Sequence, residues 1–266
     1  MSDEVTMDIR RTASMIVTIG NIKGGVGKST LAANMAVVLA MARAEQGRDV
    51  LLIDGDGQSS ATAFTNMRAD TLEGHIGYTC VSLKGSAIRS QMAALRGKYA
   101  DILVDCGGTD NPSLRAAMTV SDRLIIPIAP RSVDAWALEG MIELVREVRE
   151  TINPALQSFI LVNLADPQGH DNDAVKEIIA ADYLTPPDDL SEAAGWFDTG
   201  VSILQPVIVR RKPFSDAFGR GLSIIEHRPR DPKAIGEFLA VMSVIYHHDA
   251  QGMYDDYSTK AQKQYA

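Results

Sequence analysis

The amino-acid sequence predicts an α/β fold: a doubly wound, mostly parallel sheet with helices on both faces. Short apolar runs alternate with longer amphipathic stretches, which is the pattern of repeated βαβ units. Several of these runs are apolar at almost every position, as expected for parallel strands that are buried on both faces. A glycine-rich segment also joins the first predicted strand to the first predicted helix, which is typical of phosphate-binding α/β proteins.

The alternation places each element in turn. Strands are predicted at residues 15–19, 50–53, 78–82, 102–104, 124–128, 159–162 and 203–208. Helices are predicted at residues 28–45, 87–95, 112–119, 133–151, 172–181 and 232–246. Residues 167–199 are rich in Asp, Pro and Gly and interrupt the alternation, so a long, partly helical excursion is expected there.

Length and composition indicate one large domain. The chain has 266 residues, and we predict a flexible N-terminus at 1–14, a single domain at 15–249 and a polar tail at 250–266. No apolar run approaches the roughly 18 residues of a membrane span, and the N-terminus lacks the apolar core of a secretory signal. The two cysteines form no Cys-x-x-Cys pair, so neither a disulfide framework nor a zinc site is predicted. A cytoplasmic location is therefore expected.

The net charge of −8 argues against a nucleic-acid binder that works by bulk charge. A local basic face is still compatible with this balance, because association responds to local potential as well as to the sum.

The segment GNIKGGVGKST at residues 20–30 carries the strongest functional signal. It follows a predicted strand and opens a predicted helix, which is the context of a phosphate loop. Glycines let the backbone turn its N–H groups toward an anion, and the helix N-terminus adds partial positive charge. Lys28 can reach the β- and γ-phosphates of a nucleotide, and Ser29 can ligate magnesium. The residues predicted to bind the nucleotide here are Gly24, Gly25, Val26, Gly27, Lys28, Ser29 and Thr30.

Aspartates end two of the predicted strands. Asp54 and Asp56 follow the strand at 50–53, and Asp105 follows the strand at 102–104. Because ligands bind at the carboxyl ends of parallel strands, these carboxylates are expected beside the phosphate loop. A buried strand that ends in aspartate is the Walker B arrangement, in which the carboxylate holds magnesium.

The stretch KGGVGKS resembles the deviant Walker A signature of the ParA/MinD superfamily of P-loop ATPases, and the resemblance extends from about residue 15 to about residue 246. It implies that Lys23 crosses a dimer interface to contact the phosphates of the partner's ATP. Residues 54–58 resemble the family's DxDPQ motif, which implies that Asp56 orients the attacking water and that Asp54 acts on the magnesium shell. Gly57 replaces the usual proline of that motif, and Gly107 and Gly108 follow Asp105 where the family commonly has prolines.

The resemblance also implies where adenine and DNA bind. The loops after the sixth and seventh strands hold adenine in related ATPases, which nominates Asn163, Pro206 and Arg210. Residues 209–233 carry a net charge of +4 on an acidic chain. Related partition ATPases bind DNA through this region without sequence preference, as phosphate contacts do. The residues nominated for DNA binding are Arg210, Arg211, Lys212, Arg220, Arg228 and Arg230.

The leading functional hypothesis is an ATPase whose ATP-bound homodimer binds double-stranded DNA non-specifically and positions a cargo on the nucleoid. A ParB-like or other adaptor would stimulate its slow hydrolysis, with ATP and Mg²⁺ as cofactors and no membrane partner. One alternative is a MinD-like membrane-cycling regulator, although residues 250–266 lack the apolar stripe and basic face of a membrane helix. Another is a metal-cluster ATPase like the nitrogenase iron protein, suggested by Cys106 beside Asp105.

Overall fold

A computed structural model describes residues 14–44, 49–108, 112–130, 135–168, 170–181 and 200–246. The predicted tail, almost all of the predicted N-terminal segment and most of the predicted excursion at 167–199 lie outside the described residues. The strands are β1 (Met15–Ile19), β2 (Val50–Asp54), β3 (Thr79–Ser82), β4 (Asp101–Asp105), β5 (Arg123–Ile128), β6 (Gln157–Ala165), β7 (Val201–Ile203) and β8 (Ile208–Val209).

The helices are α1 (Lys28–Ala44), α2 (Ser60–Thr71), α3 (Ala87–Leu95), α4 (Pro112–Met118), α5 (Ala135–Thr151), α6 (His170–Ile179), α7 (Lys212–Phe218) and α8 (Pro232–Tyr246). No helix in the described ranges has the length and apolar character needed to cross a membrane.

The strands form one parallel sheet in the order β3-β2-β4-β1-β5-β6-β7, with β8 paired to β6. The chain leaves β1 toward β2 on one side and leaves β4 toward β5 on the other. Adjacent strands whose connections diverge in this way open a crevice at their carboxyl ends. The pairing aligns Ile19 with Asp105 and Asp54 with Asp105, so the phosphate loop and both acidic loops begin at the same edge of the sheet.

Side chains that alternate along the strands supply a hydrophobic core on each face of the sheet. One core contains Val17 and Ile19 of β1 and packs against α1, α2, α7 and α8. The other contains Ile16 and packs against α3, α4, α5 and α6. This two-sided burial explains why the central strands are apolar at nearly every position, and it confirms the predicted doubly wound α/β fold.

One predicted element of the fold is wrong, and two helices were not predicted. The single strand expected at 203–208 is two short strands, β7 and β8, which pair with different parts of β6. Helix α2 was not predicted, because its sequence SATAFTNMRADT has a weak apolar pattern and buries an arginine. Helix α7 was not predicted either, because it is seven residues long and has proline in its first turn.

Arg68 on α2 ties that helix to the loop at residues 221–226. Its guanidinium forms two hydrogen bonds with the Glu226 carboxylate, at 2.8 and 2.9 Å. It also donates to the carbonyls of Ile76 at 2.8 Å and Gly221 at 3.1 Å. Arg68 is 4% exposed, so these bonds compensate a charge that would otherwise be unfavourable inside the protein. The arginine therefore fixes α2, which begins next to the acidic loop after β2.

Arg68→Ala should lower the free energy of unfolding by about 3–5 kcal/mol, because it leaves the Glu226 carboxylate partly buried without its partner. Arg115→Ala is the matched control, since Arg115 forms an exposed pair with Glu147 at 2.8 Å and such pairs contribute about 1 kcal/mol or less. Urea denaturation of the two variants and the wild type measures both effects. Equal losses would contradict a structural role for the buried pair.

Candidate functional site

The phosphate loop has the backbone geometry that its glycines allow. Gly25 and Gly27 adopt positive φ angles of 74° and 86°, which other residues rarely adopt. Asn21 fixes the start of the loop, because its amide donates to the Pro127 carbonyl at 2.8 Å and its side-chain oxygen accepts from the Lys23 amide at 2.9 Å. The loop then enters α1 at Lys28, so the helix N-terminus faces the crevice.

Lys28 is buried at the base of the crevice, where it is 6% exposed. Its ammonium donates to the carbonyl of Lys23 at 2.8 Å. Burial lowers the pKa of Lys28, while the negative charges of Asp105 and Asp56 oppose this shift. An anion that enters the crevice would stabilise the charged form of this lysine, because it replaces the solvation that burial removes.

Asp105 ends β4 and is fully buried. Neither of its carboxylate oxygens accepts a hydrogen bond of normal geometry from the described part of the chain. Burial raises the pKa of Asp105 to about 7, and the nearby Ser29 hydroxyl and Lys28 ammonium oppose the rise. A buried carboxylate beside a hydroxyl suits a hard divalent cation such as Mg²⁺, which prefers oxygen ligands. The donor set at Asp105 and Ser29 therefore fits the metal implied by the sequence.

Asp54 has a different environment from Asp105. One carboxylate oxygen accepts from the amide and hydroxyl of Thr62 at 2.7 and 2.6 Å, and the other accepts from the Asp56 amide at 3.2 Å. These bonds hold the first turn of α2 and the acidic loop together. The assignment of Asp54 to the magnesium shell stays a prediction, and in this structure its carboxylate organises the backbone around the site.

Asp56 lies on the wall of the crevice and is partly exposed. Its side chain accepts a hydrogen bond from the Gln58 amide at 3.0 Å, which is an Asx turn within the loop. Gly57 is exposed, with nothing within 4 Å of the place where a Cβ would stand. The predicted role of Asp56 with an attacking water is compatible with this position.

A cavity of about 1070 Å³ connects these groups, large enough for a nucleoside triphosphate. The lining residues fall on the phosphate loop, the loops after β2, β3 and β4, and the ends of β6 and α7. Among the predicted site residues, the lining includes Gly24, Gly25, Gly27, Lys28, Ser29, Thr30 and Asp56. Val26 is not among the lining residues and is 2% exposed, with its carbonyl accepting from Asn163 at 2.7 Å.

A second cavity of about 460 Å³ adjoins the phosphate loop at Gly27 and Thr30. It is lined by apolar side chains that include Leu31, Phe214 and Phe238. Its size and character suit a purine base. Of the three residues nominated for adenine, Asn163 and Arg210 line this cavity, whereas Pro206 is not among its lining residues.

Lys84 and Leu164 also line the larger cavity, and sequence reasoning missed both. Lys84 follows the carboxyl end of β3, and the same rule that nominated the aspartates could have found it. Leu164 has a positive φ of 54° at the irregularity where β6 pairs with β8. That backbone state has no clear signal in the sequence, because leucine rarely adopts it.

The residues nominated for DNA binding differ in their exposure and in their contacts within the protein. Lys212 and Arg220, at the two ends of α7, are exposed, as is Arg210. Arg211 is paired with Glu237, at 2.6 Å between Nη2 and Oε1. Arg228 donates to the carbonyls of Glu226 and His227 at 3.1 and 3.0 Å. Arg230 is partly buried.

Comparison with known proteins decides the family. A family model described as the CobQ/CobB/MinD/ParA nucleotide-binding domain matches residues 17–224, well over half of the chain. The chain belongs to this family. Protein ParA of Rhizobium radiobacter is 24% identical over 211 residues, which are 77% of this chain and 83% of that protein. The maintenance of carboxysome distribution protein A of Halothiobacillus neapolitanus is 23% identical over 234 residues, 86% of this chain and 95% of that protein.

Solved structures show the same fold. A plasmid partition protein from Borrelia burgdorferi, described as putative and bound to AMPPNP, has a TM-score of 0.62 at 18% identity. The superposition covers 87% of this chain and 98% of that one. Cobyrinic acid a,c-diamide synthase from Mycobacterium smegmatis, with a bound ATP analogue and magnesium, has a TM-score of 0.57 at 20% identity, covering 78% and 95% of the two chains. The fold of this ParA/MinD superfamily member is thereby established.

The cysteines give no support to the metal-cluster alternative. Cys106 is fully buried, and burial raises the pKa of its thiol. Cys80 is partly buried on the edge strand β3. Among the described residues, no group of three or more His, Cys, Asp or Glu side chains is placed to hold a metal ion.

Asp105→Asn should stabilise the nucleotide-free protein at pH 8 by roughly 1–3 kcal/mol, because it removes a charge that burial disfavours. The folded pKa of Asp105 is raised from 3.8 to about 7. The favourable contribution of the protonated Asp105 side chain to stability is therefore fully present below the ordinary pKa of 3.8 and is lost as the pH rises through about 7. The gain from the substitution should consequently be larger at pH 8 than at pH 5.

Urea unfolding in EDTA at both pH values measures this gain. Asp70→Asn, at an exposed position of α2, makes the same chemical change at the surface and should have little effect at either pH. A destabilised Asp105→Asn protein at pH 8 would contradict the assignment of an uncompensated buried charge.

Proposed function

We propose that the chain is an ATP-dependent switch: it dimerises around bound ATP, binds DNA non-specifically in that state and positions a cargo. The observation that carries the proposal is the two-lysine loop. Lys28 is buried and lines the phosphate cavity, while Lys23 is partly buried and precedes the exposed Gly24 and Gly25, which also line it.

ATP binding follows from the charge and shape of the two cavities. The triphosphate would lie in the larger cavity on the loop amides and the Lys28 ammonium, and the adenine would enter the smaller apolar cavity beside Asn163 and Arg210. Ser29 and Asp105 would hold Mg²⁺, which would supply positive charge to stabilise the phosphates. Entry of the phosphates would replace the Lys23 carbonyl as the acceptor for Lys28.

Hydrolysis requires little covalent help from the protein, because positioning and charge dominate phosphoryl transfer. Asp56 would orient the attacking water from the wall of the cavity. Its loop contains Gly57 in place of a proline, and a looser loop fits a slow basal rate. A switch needs such a rate, because the ATP-bound state must last until an adaptor triggers hydrolysis.

Dimerisation would complete the site. In the described part of the chain, nothing lies within 4 Å of the place where a Cβ would stand on Gly24 or Gly25. The outer face of the loop is therefore open to a second subunit, and Lys23 stands next to this opening. A cation supplied across the interface would neutralise phosphate charge only when both subunits hold ATP.

Lys28→Ala should abolish ATP binding, because the cavity loses its buried cation. Lys23→Ala should still bind ATP but remain monomeric, because only the contact with the partner's nucleotide is lost. Equilibrium binding of ATP and light scattering with Mg–ATP measure these two outcomes. Arg89→Ala, on the exposed face of α3, is the control for loss of a surface charge. A Lys23→Ala protein that dimerises like the wild type would overturn the role across the interface.

DNA binding is proposed from the basic segment at residues 209–233, in which Arg210, Lys212, Arg220 and Arg228 are exposed. Arg211 is paired with Glu237 and Arg228 donates to carbonyls of its own loop, so Lys212 and Arg220 are chosen for the test. One subunit carries a net charge of −8, so its average field repels DNA. Two basic segments brought together by dimerisation would overcome this repulsion, which explains a requirement for ATP.

The double variant Lys212→Ala with Arg220→Ala should weaken binding to random-sequence DNA by at least about tenfold, equally for all sequences, because phosphate contacts carry no sequence information. Fluorescence anisotropy with Mg–ATP and with Mg–ADP measures the affinity at several salt concentrations. The matched control is Arg89→Ala with Lys98→Ala, at exposed positions outside the basic segment. Binding that is equal with ATP and ADP would leave a switch that acts on proteins alone.

The cargo and adaptor are proposed only as classes. The cargo is a DNA locus or a protein assembly, and the adaptor is a ParB-like or other protein that stimulates hydrolysis. Nucleoid association in the cytoplasm follows from the proposed DNA binding. No observation among the described residues favours the membrane-cycling or metal-cluster alternatives.

A further inference from the structure

Lys84 is a cation in the phosphate cavity that the proposed mechanism leaves without a role. Lys28 and Lys84 are the two positively charged side chains among the described residues that line this cavity. Lys28 comes from the phosphate loop, whereas Lys84 follows the edge strand β3. The two lysines therefore approach the cavity from different loops.

Strand pairing brings the loop that carries Lys84 to the same edge of the sheet as the acidic loop. Strands β2 and β3 pair with Asp54 opposite Ser82. The Leu83 amide donates to the Asp54 carbonyl at 3.1 Å, so the ladder continues one residue past the end of β3. Lys84 follows directly, and it lines the same cavity as Asp56. Lys84 thus enters the cavity from the strand next to the one that precedes Asp56.

The backbone around Lys84 is fixed, while its side chain is not. The Gly85 amide donates to the Ser113 hydroxyl at 2.9 Å, and Gly85 has a positive φ of 58°. Ile88, at the start of α3, is fully buried. The Lys84 side chain is exposed, and it forms no ion pair with a described residue. A fixed backbone that carries an uncommitted ammonium is suited to contact a ligand at low reorganisation cost.

The charges in the cavity indicate what that ligand group is. The Lys28 ammonium is at the base of the phosphate loop, and the acidic loop contributes Asp56 to the same cavity. During phosphoryl transfer, negative charge is spread over the oxygens of the transferred group and grows on the leaving oxygen. A cation near Asp56 would balance that carboxylate and attract the terminal phosphate to the same place.

We propose that Lys84 is a further catalytic residue whose ammonium contacts an oxygen of the γ-phosphate within its own subunit. Water forms a bond to the γ-phosphorus, and the bond to the bridging oxygen breaks, with its electron pair leaving on ADP. The proton of the water passes to phosphate or solvent, and Lys84 keeps its own proton throughout. This inference rests on the proposed ATPase function.

The test compares Lys84→Ala, Lys84→Arg and the control Lys98→Ala, which removes an exposed lysine outside the cavity. Single-turnover hydrolysis of radiolabelled ATP and equilibrium ATP binding are measured for each, with Mg²⁺. Lys84→Ala should slow hydrolysis by roughly tenfold to a hundredfold and change ATP affinity by less than about threefold, as for a group that acts mainly in the transition state. Lys84→Arg should restore most of the rate, and Lys98→Ala should match the wild type.

The outcomes separate the two proposals. A wild-type protein that does not hydrolyse ATP would overturn the proposed function and this inference with it. An active wild type with an unchanged Lys84→Ala rate would overturn the role of Lys84 alone. So would a variant that loses ATP affinity at an unchanged rate, or a Lys84→Arg protein as slow as Lys84→Ala. Loss of dimerisation in Lys84→Ala at an unchanged hydrolysis rate would also overturn it, because the residue would then serve the interface.

Discussion

Two opposite charges are buried at the carboxyl edge of the sheet, and the protein compensates neither of them fully. The Lys28 ammonium has a backbone carbonyl as its hydrogen-bond acceptor. The Asp105 carboxylate has no hydrogen bond of normal geometry from the described residues, and burial raises its pKa to about 7. Burying such groups opposes folding unless a ligand supplies the missing interactions. Binding of a nucleotide with its metal would therefore stabilise the folded protein by compensating both charges. This stabilisation is the energetic basis of the proposed switch.

The sheet makes this arrangement possible. Strand β4 lies between β1 and β2. The end of β1, where the phosphate loop begins, is therefore beside Asp105 at the end of β4, and Asp105 is beside Asp54 at the end of β2. Hydrophobic cores on both faces hold the strands in register, and Asp54 joins the acidic loop to the first turn of α2. Arg68 then anchors α2 to the loop at 221–226. Together these interactions hold the acidic loop that carries Asp56 at the cavity.

Sequence patterns gave the fold and the phosphate loop, because both depend on strong local signals. Parallel strands buried on two faces are apolar throughout, and the glycines of the loop are required by its φ angles. Helix α2 escaped prediction because its buried face contains Thr65 and Arg68, which are satisfied by distant partners. Lys84 was missed although it follows the carboxyl end of β3, because the carboxyl-end rule was applied to acidic side chains alone. Asp54 and Asp105 each end an apolar strand in the sequence. Only the structure shows that the Asp54 carboxylate accepts hydrogen bonds, whereas the Asp105 carboxylate has none of normal geometry from the described residues.

The most direct test of the uncompensated charge is the number of protons released when the protein binds Mg–ATP. Calorimetry at pH 6.5 in buffers of different ionisation enthalpy measures this number for the wild type and for Asp105→Asn. With a pKa of about 7, Asp105 is mostly protonated at that pH and must lose its proton to face a metal ion. The account predicts that the wild type releases more protons than the variant, by roughly three-quarters of a proton, and that the difference shrinks at pH 8.5. Equal proton release by the two proteins at pH 6.5 would contradict it.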